Sequence, residues 1–76
     1  MTTKSVTVNE FELCNRIAVN IAYYRKLSGL TQSELAESIN YSDKSVSKWE
    51  HAAGVPSIHV LAMLAELFGE IGRAHV

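Results

Sequence analysis

TQSELAESINYSDKSVSKWEH, residues 31–51, carries two helix starts in quick succession, and the way they are spaced decides the fold. Thr31 can accept from the backbone three residues on while Glu34 reaches back to it, and Leu30 and Leu35 flank this capping box as a hydrophobic staple. The box predicts a helix over residues 32–39, ended by Asn40, which tolerates a left-handed backbone. Ser42 then caps a second helix, residues 43–51, with Tyr41 and Val46 placed as its staple. Neither helix is long enough to be stable alone, so Leu35, Ala36 and Ile39 of the first must dock on other elements. In the second, Val46 and Trp49 form a narrow apolar stripe, while Asp43, Lys44, Ser45, Ser47 and Lys48 take up most of the circumference. A helix with so little to bury has to turn most of its surface toward solvent or a partner.

Outward from this stretch the chain reads as further helix. Asn9 caps a helix starting at Glu10, with Glu12 at its third position and Val8 and Leu13 placed as a staple. Leu13, Cys14, Ile17, Ala18, Ile21, Ala22 and Tyr24 recur at helical steps, and Gly29 supplies a left-handed stop. After the loop AAGVP, Ser57 caps a helix in which Ile58, Leu61, Leu64, Ala65 and Phe68 repeat, with Gly69 as its expected end. Residues 1–8 are polar and unpatterned, which predicts a flexible arm. The closing EIGRAHV, residues 70–76, breaks the apolar pattern and coincides with an in-frame reading of a common sequencing adapter, so a non-native or frayed tail is expected there. The expected fold is all-α, a compact bundle of four short helices over residues 9–69.

Composition narrows the function only by exclusion. With 76 residues there is room for one domain, and a net charge of −1 gives no overall basic excess. The one cysteine, Cys14, forbids an internal disulfide and suits a reducing, cytoplasmic setting. No apolar run reaches the roughly 18 residues of a membrane span, so no membrane contact is expected of this chain. There is no glycine-rich phosphate loop, no nucleophile elbow and no zinc spacing among His51, His59, His75 and Cys14. No catalytic residue, metal or cofactor is therefore expected, and the chain does not read as an enzyme.

Two short helices joined by a turn, the second polar on its outer face, have the geometry that lets a helix enter the major groove of double-stranded DNA. GLTQSELAESI, the pair Val46 and Trp49, SKWE, and VPSI leading into a leucine-patterned helix together resemble the helix-turn-helix of phage repressors of the Cro/C1 kind and the related xenobiotic-response regulators of bacteria. The resemblance runs from about residue 21 to residue 68, with the helix-turn-helix itself at residues 32–51, and implies a lambda-repressor-like domain. It implies sequence-specific binding of an operator by a transcriptional regulator, in the sense of repression, with residues 43–51 as the recognition helix. Asp43, Lys44, Ser47 and Lys48 match the positions that read base edges: the lysines as donors to guanine O6 and N7, Asp43 as an acceptor from cytosine N4. Gln32 matches a phosphate contact at a helix N-terminus, and Tyr41, Ser42 and His51 border the backbone path of the DNA. Arg25 and Glu50 match an ion pair that orients the recognition helix. Ala36 has to stay small where the two helices cross.

The sequence also departs from the family pattern. After WE the family commonly has a polar or basic residue, then Gly, then often Lys, whereas this chain has His51, Ala52 and Ala53. One phosphate-binding cation is thus missing, and affinity is expected to lean on base contacts and on a homodimer. The dimer rests on resemblance alone, because the fifth helix that often forms it in the family is absent or replaced by the tail. The competing reading is a protein-interaction module, such as an antitoxin, which needs an exposed apolar patch and not a salt-sensitive polar face.

Overall fold

The computed structural model describes residues 9–74. They form four helices, α1 (Glu10–Leu27), α2 (Gln32–Ser38), α3 (Asp43–Glu50) and α4 (Ile58–Ala74), and no strand occurs among the described residues. The expected arm, residues 1–8, and with it the staple to Val8, lies outside the described residues. Asn9 caps α1 by accepting from the Phe11 amide at 2.8 Å. Thr31 and Glu34 complete their reciprocal box, at 3.1 Å from the Glu34 amide and 2.8 Å to the Thr31 amide. Ser42 accepts from the Ser45 amide at 3.2 Å to start α3.

The first three helices end alike. The residue two past the cap's predecessor swings into the left-handed region and the next amide folds back on the last turn: Gly29 (φ 73°), Asn40 (φ 63°) and Ala52 (φ 56°) occupy that position. The returning bonds are Leu30 N–H to the Arg25 carbonyl at 3.1 Å, Tyr41 N–H to Ala36 at 2.8 Å and Ala53 N–H to Lys48 at 2.9 Å. Each is a Schellman closure, which satisfies otherwise orphaned carbonyls. Glycine enters this conformation freely and asparagine at modest cost, whereas alanine carries a Cβ into a steric conflict.

One apolar core joins the four helices. Ile21 of α1, Leu35 and Ala36 of α2, Ile39 at its end, Val46 and Trp49 of α3, and Val60, Leu64 and Phe68 of α4 are all buried. Leu35, Val46 and Val60 are fully enclosed, so the helix-turn-helix and α4 share a common centre. Ile17, Leu30, Met63 and Leu67 pack around it.

Three expectations need correcting. In α4 the inward stripe is Val60, Leu64 and Phe68; Ile58 is 86% exposed and Ala65 is also exposed. The helix is apolar on nearly every side, so periodicity alone allowed several faces, and docking on Leu35 and Val46 selected one. Gly69 does not end α4, which continues to Ala74 through residues expected to be a tail. A stopping glycine must turn left-handed, and among the described glycines only Gly29 does; at Gly69 the helix simply propagates, since each added residue costs little once the helix is nucleated. In α1, Leu13 is 46% exposed and Tyr24 38%, so only the middle of the expected stripe is buried. The ring of Tyr41 packs against that of Trp49, with centroids 5.4 Å apart.

Candidate nucleic-acid interface

The helix-turn-helix is α2, the turn at residues 39–42, and α3. A step of about 100° per residue places Asp43, Ser47, His51, Lys44 and Lys48 on one side of α3, with Val46 and Trp49 on the other. Asp43, Lys44, Lys48 and His51 are exposed, and Ser47 is half-buried between them. The four residues expected to read bases therefore share a single outer surface, left uncovered by the domain's own helices. His51 caps α3 at its C-terminal end, and its Nδ1 lies 2.7 Å from the Ser47 carbonyl. A carbonyl only accepts, so Nδ1 carries the hydrogen and the imidazole is held back along the helix. The Ser47 hydroxyl lies 3.4 Å from the same nitrogen.

Lys48 has a neighbour that sequence reasoning did not identify. The Schellman closure of α3 folds the chain back so that Gly54 faces the lysine's methylene stem; a Cβ added to Gly54 would lie 3.5 Å from Lys48 Cδ and 3.7 Å from Cε and Cγ.

Behind the exposed face, α3 is tied to α1 and α2 by polar contacts. Arg25 donates through Nε to Glu50 Oε2 at 2.6 Å and through Nη2 to Oε1 at 3.0 Å, a two-pronged ion pair in which the side chains are only 13% and 6% exposed. Its third donor, Nη1, reaches the Leu30 carbonyl at 2.9 Å, so the same guanidinium pins the turn between α1 and α2. Burial alone would raise the Glu50 pKa; the hydrogen bonds from Arg25 and Gln32 and the nearby charges of Arg25 and Lys26 outweigh it, and the carboxyl sits below its ordinary value. The hydrogen bond to Glu50 exceeds the opposing effect of burial on Arg25, whose pKa is raised.

Gln32, expected as a phosphate contact, is the first residue of α2 and is half-buried. Its Nε2 donates to Glu50 Oε1 at 3.1 Å, a contact the sequence did not signal. An amide nitrogen has two hydrogens, so one remains for an outside acceptor, and Glu50 fixes where it points. Tyr41 is 43% exposed at the turn, leaning on Trp49. Ser42 is exposed, but its hydroxyl is engaged in capping and lies 3.1 Å from the Ser45 hydroxyl.

Among the described residues no cluster of His, Cys, Asp or Glu is placed to hold a metal ion, and no helix is long and apolar enough to cross a membrane. A helix-turn-helix family model matches residues 21–73, more than half of the chain, which takes in α2, α3 and most of α4. No curated protein matches the sequence. The matched family is one of DNA-binding, transcription-regulator-type domains that are generally not enzymes. The chain belongs to the Cro/C1-type helix-turn-helix family, the xenobiotic-response-element regulators, and is a domain that binds double-stranded DNA.

Proposed function

We propose that the domain represses transcription by inserting α3 into the major groove of an operator, with Asp43, Lys44, Ser47 and Lys48 reading base edges. The observation that carries this reading is the outer face of α3, polar and uncovered, on a helix fastened from behind by buried Val46 and Trp49 and by the Arg25–Glu50 pair. Lys44 and Lys48 suit guanine O6 and N7, and Asp43 suits the N4 amino group of cytosine. Gln32 grips a phosphate with the amide hydrogen that Glu50 leaves free, and Tyr41, Ser42 and His51 line the path of the backbone. Arg25 and Glu50 orient the reading helix and touch no base.

Few cations lie on this face, so one domain gains little from counterion release. We therefore read the working unit as a homodimer on two half-sites about 34 Å apart, one turn of the duplex. An open apolar cleft between α1 and α4, lined by Ile17, Tyr24, Leu61 and Phe68, supports a protein contact of some kind. That cleft is also what an antitoxin or other interaction module would use, and it keeps this second reading in play.

Selection of bound duplexes from random DNA tests the proposal. The expected outcome is a defined operator whose preference relaxes at one or two positions in Lys48→Ala, with a loss of discrimination of about 1–3 kcal/mol. Gln32→Ala should weaken every sequence about equally, because phosphate contacts carry no base information. Binding that is insensitive to both salt and sequence would favour the interaction module.

A further inference from the structure

We propose that Gly54 is a positioning residue for Lys48: the lysine stem lies alongside it, and this sets where the ammonium meets the DNA. The proposal rests on the base-reading role given to Lys48 and deepens it.

Three observations combine. First, Gly54 is half-buried but has no left-handed backbone, since Gly29 alone among the described glycines has a positive φ. Backbone conformation therefore gives no reason for glycine at this place, and what distinguishes the position is the side chain lying beside it. Second, the nearest atoms to its missing Cβ are three consecutive carbons of one side chain, Lys48 Cγ, Cδ and Cε. Third, the approach is built into the fold, because the Ala53 amide bonded to the Lys48 carbonyl at 2.9 Å brings the next residue alongside the lysine.

An exposed lysine on a free four-carbon stem loses rotamer entropy when it is fixed on a base. A stem already lying alongside the loop has fewer arrangements to lose, and apolar methylenes covering a surface while the charge stays in water is the usual way such side chains lie. The spacing also separates substitutions. An alanine Cβ at 3.5 Å would be in ordinary van der Waals contact with the stem. A valine adds two branches on a stiff side chain and is expected to crowd the stem.

The test is a double-mutant cycle of Gly54→Val and Lys48→Ala, with Gly54→Ala as a control. Affinities are measured for the selected operator, for a duplex altered at the base pair assigned to Lys48, and for unrelated DNA, with thermal midpoints alongside. Expected are a several-fold loss of discrimination in Gly54→Val with binding to unrelated DNA unchanged, no further loss when Lys48 is already alanine, and near wild-type behaviour in Gly54→Ala. Full discrimination in Gly54→Val, or an equal loss with and without Lys48, would overturn the proposal. Should Gly54→Val fail to fold, nuclear Overhauser contacts between the Gly54 α-hydrogens and the Lys48 methylenes in the wild-type protein decide it: their presence supports the platform and their absence removes it. If Lys48→Ala leaves base preference intact, the base-reading role fails instead. Side-chain relaxation at Lys48 then judges Gly54 separately, increased mobility in Gly54→Val supporting the platform and unchanged mobility overturning it.

Discussion

Ala52→Gly should stabilise this domain, although it removes a methyl group and replaces a better helix former. Ala52 sits at φ 56° at the end of α3, where an L-residue's Cβ crowds the following carbonyl, at a cost of about 1–2 kcal/mol. Glycine escapes that cost but brings a freer unfolded chain, which takes back about 0.4–1 kcal/mol. Between the central values of these ranges the difference is a net gain of about 0.8 kcal/mol, or a rise of roughly 3–6 °C in Tm for a domain of this size. Ala53→Gly is the matched control: Ala53 does not have a positive φ, so the same chemical change should cost about 0.4–1 kcal/mol there. Urea unfolding of the three proteins followed by circular dichroism reads both signs in one series. Equal destabilisation by the two substitutions, at an unchanged m-value, would refute the claim that the α3 terminus holds its alanine in a strained conformation. The closure itself, Ala53 N–H on Lys48 and Ala52 N–H on Trp49 at 3.2 Å, is backbone only and should survive the change.

Further outcomes follow from the buried polar contacts and the helix crossing. Glu50→Gln leaves the Arg25 charge without a partner and should cost about 3 kcal/mol, toward the lower end for a broken buried pair because Arg25 keeps a route to solvent; chemical denaturation measures it. Folded Glu50 binds its proton less readily than at its ordinary value of 4.5, so the stability it contributes is complete above that pH and is lost as pH falls through the lower folded value. An acid titration of Tm should therefore show a steeper decline in the wild-type protein than in Glu50→Gln, and parallel curves would contradict the assignment. Ala36 is 2% exposed within the cluster that holds Val46 and Trp49, and Ala36→Leu should cost about 1–3 kcal/mol through overpacking. Its operator affinity should fall more than its stability, as seen in binding at a temperature where circular dichroism still reports a folded domain.

What was legible in the sequence was what is settled by neighbouring residues. The starts of α2 and α3 could be read because a capping box and a serine cap need partners only three residues away, and the left-handed turns at Gly29 and Asn40 because those residue types favour them. Ala52 does the same work at the end of α3 without advertising it, since alanine is not a residue that marks such a turn. The one glycine of the AAGVP loop, Gly54, makes no such turn, and the stem of Lys48 lies beside it. The inward face of α4 is not legible in the sequence for a tertiary reason: with apolar residues on most sides, only the shape of the surface it meets distinguishes Val60 from Ile58.

The polar contacts behind α3 show the same limit more sharply. Arg25 and Glu50 were singled out by resemblance to known repressors, and no spacing rule links residues 25 apart. Gln32 was singled out in the same way, yet as a separate contact with DNA. In the folded domain its amide is the third participant at Glu50, so one carboxylate holds both the base of the recognition helix and the residue placed to grip a phosphate. A perturbation at Glu50 should consequently act on orientation and anchoring together. Gln32→Ala removes the anchor but leaves the two-pronged Arg25 contact in place, so its stability loss should be close to that of one hydrogen bond to a charged group, about 1.5–3 kcal/mol at most.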